Sequence, residues 1–183
     1  MNRRLVLKHL AVASAAAMLL PSCVGDPKKV SVALRDLKIT GDEESLLGDL
    51  ADAIIPATDT PGARAVEAHL FALVMVDDCL PKSEQEKYLK GMRSFDETMK
   101  TLTGKTFSKA SPEERQEQLT TLEQAQDKVS EETKAFYSRT RGYILQGYLS
   151  SQHFLTNVKV YQHIPGPHFQ GCAPVATEQK PTV

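Results

Sequence analysis

The chain has 183 residues and is close to neutral, with 22 basic and 23 acidic side chains, 41% hydrophobic residues and no tryptophan. No basic excess is available to neutralise phosphates, which disfavours nucleic-acid binding, and the scarcity of aromatics argues against a sugar-stacking surface. The length suits one compact domain with a sizeable core once a leader is set aside.

The leader comes first. Arg3, Arg4 and Lys8 make a positive start with no acidic residue, the uncharged run Leu10 to Leu20 follows, and Cys23 stands three residues on. This is the layout of a secretory signal. A membrane-spanning helix needs about 20 apolar residues, and Pro21 cuts this run short. Leu20-Pro21-Ser22-Cys23 resembles the lipobox of bacterial lipoproteins, with Pro21 an unusual occupant, so Cys23 is expected to be the acylated first residue of the mature chain. Two or more acyl chains suffice for a stable anchor. Asn2 to Lys8 also resembles the twin-arginine signal, the export route for folded proteins. Arg3, Arg4, Leu7 and Lys8 fit it; Asn2 and Val6 depart from it, which leaves the general secretion route open. The expected location is the periplasmic side of the bacterial envelope, with the chain held to a membrane by lipid. Because residues 1–22 hold three basic and no acidic residues, the mature chain carries −4.

Residues 23–41 read as a tether with an extended piece near Val30 to Leu34. Thr40, three residues before Glu43, has capping-box spacing. Leu46, Leu47, Leu50, Ala51, Ile54 and Ile55 then form one apolar helical stripe that ends at Pro56. Thr58-Asp59-Thr60-Pro61-Gly62 is a turn, with Pro61 presetting its backbone and Gly62 expected at positive φ. A second helix is predicted from about Ala63 to Cys79, with Val66, Leu70, Leu73, Val74 and Cys79 inward. A third spans Ser83 to Leu102, with Leu89, Met92, Phe95, Met99 and Leu102 on one face and Gly104 as C-cap.

Ser111-Pro112-Glu113-Glu114 is a helix start, with an N-cap, a first-turn proline and a capping-box glutamate. The helix after it, to about Lys128, has Leu119 and Leu122 as its main apolar residues and is expected mostly exposed. A fifth runs from Ser130 to about Ser150 and buries Phe136, Tyr137, Tyr143, Ile144 and Tyr148. Gln152 to Tyr161 fits a short helix, and Ile164 to Pro174 an irregular tail. The fold class is all-α: a single irregular domain of about five helices over residues 42–175, with 176–183 a flexible end.

Cys79 and Cys172 are the thiols left once Cys23 takes lipid, and an even pair in an oxidising compartment favours a disulfide over two separate thiols. Closing a loop of about 90 residues would contribute on the order of 4 kcal/mol in the chain-entropy account. Candidates for chemistry are few. His163, His168 and Cys172 cluster near the end without metal-site spacing. Asp77 and Asp78 point about 100° apart on a helix and read as a solvated helix end. Asp59 and its threonines read as bonded to their own backbone, and His69 as a half-buried core histidine. No dinucleotide fingerprint, P-loop, haem-attachment motif or nucleophile elbow occurs.

The stretch Leu50-Ala51-Asp52-Ala53-Ile54-Ile55-Pro56-Ala57-Thr58-Asp59-Thr60-Pro61-Gly62-Ala63 resembles the signature of the gluconate 2-dehydrogenase subunit 3 family. Ile164-Pro165-Gly166 with Gly171-Cys172-Ala173-Pro174 is similar to that family's closing motif, as is the twin-arginine start. The resemblance implies a small, non-catalytic subunit of a membrane-associated dehydrogenase. Its partner would be a large flavoprotein of the glucose-methanol-choline (GMC) type, which holds FAD and substrate, often with a c-type cytochrome subunit. This chain itself would bind no cofactor and no metal. Lipid at Cys23 departs from family members with a plainly cleaved signal. The turn from Thr58 through Asp59, Thr60 and Pro61 to Gly62, and the tail at Pro165, Gly166 and Gly171, are the expected partner contacts. A free-standing helical envelope lipoprotein with a binding or structural role is the alternative reading.

Overall fold

The computed structural model describes residues 30–159. Among them are five α-helices and no strand: α1 (Gly41–Ile54), α2 (Ala68–Cys79), α3 (Lys82–Thr103), α4 (Pro112–Gln124) and α5 (Glu131–Leu149). Short 3-10 turns at Phe107–Lys109 and Gln126–Lys128 flank α4, and a π-helical turn at Phe154–Val158 follows α5. The protein is all-α, and no helix of the described residues is long and apolar enough to cross a membrane.

Local chemistry sets the helix ends. Thr40 accepts from the Glu43 amide while the Glu43 carboxylate reaches back to the Thr40 amide, which satisfies two donors that the first turn leaves unpaired. Ser111 and Glu114 repeat the device at α4 with Pro112 in the first turn, and Ser130 caps α5 by accepting from Thr133 N–H. Gly104 ends α3 at φ 82°, the left-handed region that a residue without Cβ enters cheaply.

Two boundaries differ from the sequence expectation. The second helix starts at Ala68, not Ala63, because Glu67 takes a left-handed φ of 59° that breaks the helical path. The fourth stops at Gln124 and tightens into the 3-10 turn. Near Val30 to Leu34 no strand forms.

Helix α5 packs on both α3 and α2, α4 packs on α3 and α1, and α1 also meets α2 and α5. The main core gathers Leu46, Leu47 and Leu50 of α1, Leu73 and Val76 of α2, and Tyr88, Met92, Phe95 and Met99 of α3. Phe107, Leu119, Leu122, Phe136 and Tyr137 complete it. Phe136 meets Tyr88 and Phe95 edge to face at centroid distances of 5.0 and 5.5 Å, and Phe95 meets Phe107 at 5.3 Å, geometries favoured by the ring quadrupoles. Where α3 and α5 touch, Gly91 permits the contact: a Cβ there would lie 2.3 Å from the Glu132 carbonyl oxygen.

The inward face of α2 is not the expected one. Ala68, His69, Ala72, Leu73, Val76 and Asp77 are buried, Leu70 and Val74 are half-buried, and Cys79 is exposed. Small residues face α1 and α5 because Ala51, Ala63, Ala68 and Ala72 pack with Ile144 in a second, tight cluster. Asp77, expected to be solvated, is 7% exposed. Its Oδ2 accepts from Arg35 N–H (2.6 Å), and its Oδ1 from Asp36 N–H (2.9 Å) and Leu37 N–H (2.6 Å). Gln85 Nε2 donates to the carbonyls of Asp77 and Leu80, holding the turn between α2 and α3. Residues 30–40 are therefore docked on the helices, with Leu37 buried in the core.

Candidate functional site

The turn between α1 and α2 is built as a rigid unit. Ile55 N–H closes the end of α1 on Ala51 O at 2.9 Å, Ala63 N–H donates to Ile55 O at 2.9 Å, and Thr58 N–H to Thr60 O at 3.0 Å. Thr60 N–H approaches Thr58 Oγ1 at 3.4 Å, so the Thr58 side chain serves the turn's own backbone as expected, while the Thr60 hydroxyl meets that of Thr58. From α5, the Tyr148 hydroxyl donates to Pro61 O at 3.1 Å. Gly62 is buried without a positive φ. Its role is close approach: a Cβ would stand 2.8 Å from Ala57 N and from Asp52 Oδ1. Pro56, Ala57, Thr58, Asp59 and Thr60 are exposed, so the turn presents a fixed outward surface.

Beneath it lies a charged hub that the sequence reading missed. The Asp49 carboxylate of α1 receives Arg64 Nη1 at 2.6 Å and Arg115 Nη2 at 2.8 Å, its side chain only 17% exposed. Arg115 also donates from Nε to Phe107 O at 3.1 Å and lies over the Phe107 ring. Asp52 Oδ1 accepts from Arg64 N–H at 3.1 Å. These bonds fix the turn against α4 and leave a groove of about 360 Å³ between them, lined by Asp52, Pro56, Ala57, Pro112, Glu113 and Gln116. The signal available in the sequence was Asp49 and Asp52, two acids placed late in an apolar helix where the macrodipole disfavours them.

A second cleft of about 420 Å³ opens between α3 and α5, lined by Glu84, Lys87, Tyr88, Glu132, Phe136 and Arg139. Its charges are paired: Lys87 with Glu84 at 2.8 Å and Arg139 with Glu84 at 3.5 Å. The Lys87 hydrogen bond, with help from Arg139, holds the Glu84 carboxyl below its ordinary range against mild desolvation. Burial pushes the Tyr88 hydroxyl well above its ordinary value, and its 2.8 Å bond to Thr140 is structural. His69 is buried with an unpartnered Nδ1, and desolvation, then the nearby Arg64 charge, lowers its pKa. It is a neutral core histidine. Each of these groups is engaged by packing or by a fixed partner.

Among the described residues no three His, Cys, Asp or Glu side chains gather as a metal site. Cys79 sits exposed at the end of α2. Its expected disulfide partner Cys172 lies outside the described residues, as do Arg3, Arg4, Cys23, His163, Pro165, Gly166, His168 and Gly171.

The family described as Gluconate 2-dehydrogenase subunit 3 matches residues 41–166, from the first residue of α1 to beyond the π-helical turn. No curated protein and no solved structure matches the chain.

Proposed function

The chain belongs to the gluconate 2-dehydrogenase subunit 3 family, and on that premise we propose that it is the non-catalytic small subunit of a membrane-associated, FAD-dependent dehydrogenase. Its partner is a large flavoprotein of the GMC type acting on a sugar or alcohol, in some assemblies with a c-type cytochrome subunit. The family's own description, a numbered subunit of a dehydrogenase, carries this reading. The use of Asp49, Asp77, His69 and Tyr88 in packing and anchoring supports the non-catalytic part.

The chain serves its partner in export and anchoring. A twin-arginine start at Arg3 and Arg4 on a chain without a cofactor motif makes sense if a flavin-loaded partner lacking its own signal travels with it. Lipid on Cys23 then holds the pair at the periplasmic face of a membrane. The test is to replace both arginines with lysine in cells that make the complex and to follow flavoprotein and dehydrogenase activity through fractionation. Both are expected to stay in the cytoplasm. Continued export of the flavoprotein would defeat the proposal, and so would a colourless, partnerless chain purified from membranes in mild detergent.

A further inference from the structure

Among the described residues the exposed large hydrophobic side chains are Leu145, Leu149 and Val158, at 40%, 52% and 54% exposure. Single exposed apolar residues are ordinary, but Leu145 and Leu149 belong to a pattern. Ser138, Gly142, Leu145 and Leu149 of α5 are all exposed and follow one another at four, three and four residues. That is the a/d spacing by which one helix receives another.

Gly142 adds an independent observation. It lies inside α5, where glycine destabilises a helix relative to alanine. A Cβ there would meet nothing within 4 Å, so no neighbour within the described fold requires its absence. Gly91 and Gly147 differ, since their added Cβ atoms would strike Glu132 and Phe71. An open glycine on an exposed stripe, followed by two leucines, leaves room for an approaching backbone at one end and offers side chains to bury at the other.

The surroundings select the chemistry of the occupant. From Thr133 to Lys159 the sequence has no acidic residue; Lys134 and Arg139 are turned to Glu131 and Glu84, while Arg141 and Lys159 are exposed. Arg141 flanks the stripe with its side chain 52% exposed, held by Glu123 at 3.2 Å in a solvent-screened pair. The stripe also runs up to the signature turn, because Tyr148 beside Leu149 bonds to Pro61 O.

We propose that the outer face of α5, along Ser138, Gly142, Leu145 and Leu149, is the docking site for a helix of the large partner subunit whose apolar stripe is edged by carboxylates. This rests on the subunit reading given above and says where that subunit binds.

The test uses the full lipidated chain, purified from its native membranes in mild detergent, with protein-bound flavin per chain as the readout. The wild type should carry stoichiometric flavin. The double substitution L145E/L149E should weaken retention at least about thirtyfold, the scale of losing a hot-spot pair, with melting of the isolated chain unchanged. G142A should melt higher than wild type, since it adds helix propensity in open space, yet hold flavoprotein more weakly. R141E should weaken retention in a salt-dependent way. Wild-type flavin content in L145E/L149E overturns the docking face while leaving the subunit reading intact. Flavin retained while a wild-type homodimer dissociates in L145E/L149E overturns the named occupant in favour of a second copy of this chain. A wild-type chain without flavin overturns the subunit reading and this inference with it.

Discussion

Removing the Asp77 carboxylate should release the segment before α1. In the wild type three consecutive backbone donors, from Arg35, Asp36 and Leu37, converge on one carboxylate at 2.6–2.9 Å. In Asp77→Ala the Leu37 amide loses its partner inside the core, a cost of about 2 kcal/mol for a hydrogen bond to a charged acceptor. The Arg35 and Asp36 amides are nearer solvent and regain water, adding about 0.5 kcal/mol each. The total is about 3 kcal/mol, near 10 °C in Tm at 2–4 °C per kcal/mol for a chain of this size. Asp77→Asn should fare little better, because its amide group points a donor at donors. Local opening should rise on the order of a hundredfold, so trypsin should cut after Arg35 and Lys38 correspondingly faster. Burial disfavours the charged form, but the three amides and the Arg35 charge outweigh it and lower the Asp77 pKa below 3.8. The stability it supplies is therefore present above that value and lost as pH falls through the lower folded one. Asp77→Ala and Asp77→Asn proteins with wild-type melting and wild-type cleavage at Arg35 and Lys38 would refute the anchor.

Gly91→Ala, which drives a Cβ into the Glu132 backbone, should destabilise by about 3 kcal/mol in urea unfolding, because backbone atoms cannot turn aside as a side chain can. A double-mutant cycle on Asp49→Ala and Arg115→Ala should give single losses of about 2 kcal/mol and a coupling of about 1 kcal/mol; additive losses would mean that their 2.8 Å bridge carries no energy. His69, its pKa lowered from 6.5 by burial, is neutral in the fold. Its contribution is intact above that value and declines as pH falls from there toward the folded pKa, so His69→Gln should flatten that part of the stability–pH profile.

Much of the architecture is legible along the chain because its causes are local. Thr40 with Glu43, Ser111 with Pro112 and Glu114, and Gly104 mark helix ends through groups at most four residues apart. The apolar periods of α1 and α3 give their buried faces directly. The turn at Thr58–Gly62 was readable as a turn, but the job of its glycine was not. Positive φ is a property of one residue, whereas the space Gly62 vacates belongs to Asp52 and Ala57, ten and five residues earlier, which the turn folds back against it.

The remaining features depend on distant partners. Asp77 looked like half of a solvated acidic pair because periodicity reports polarity and not company. Its three amide donors come from some forty residues upstream and meet it only once α2 packs beside that segment. Asp49 likewise acquires meaning only when α4 brings Arg115 across. Sequence by itself determined the helices, their caps and the family stretch, since each is written in adjacent side chains. Tertiary structure alone decided which charges are buried, which glycines are contact points, and that Leu145 and Leu149 face outward, because those outcomes depend on what three-dimensional packing brings near.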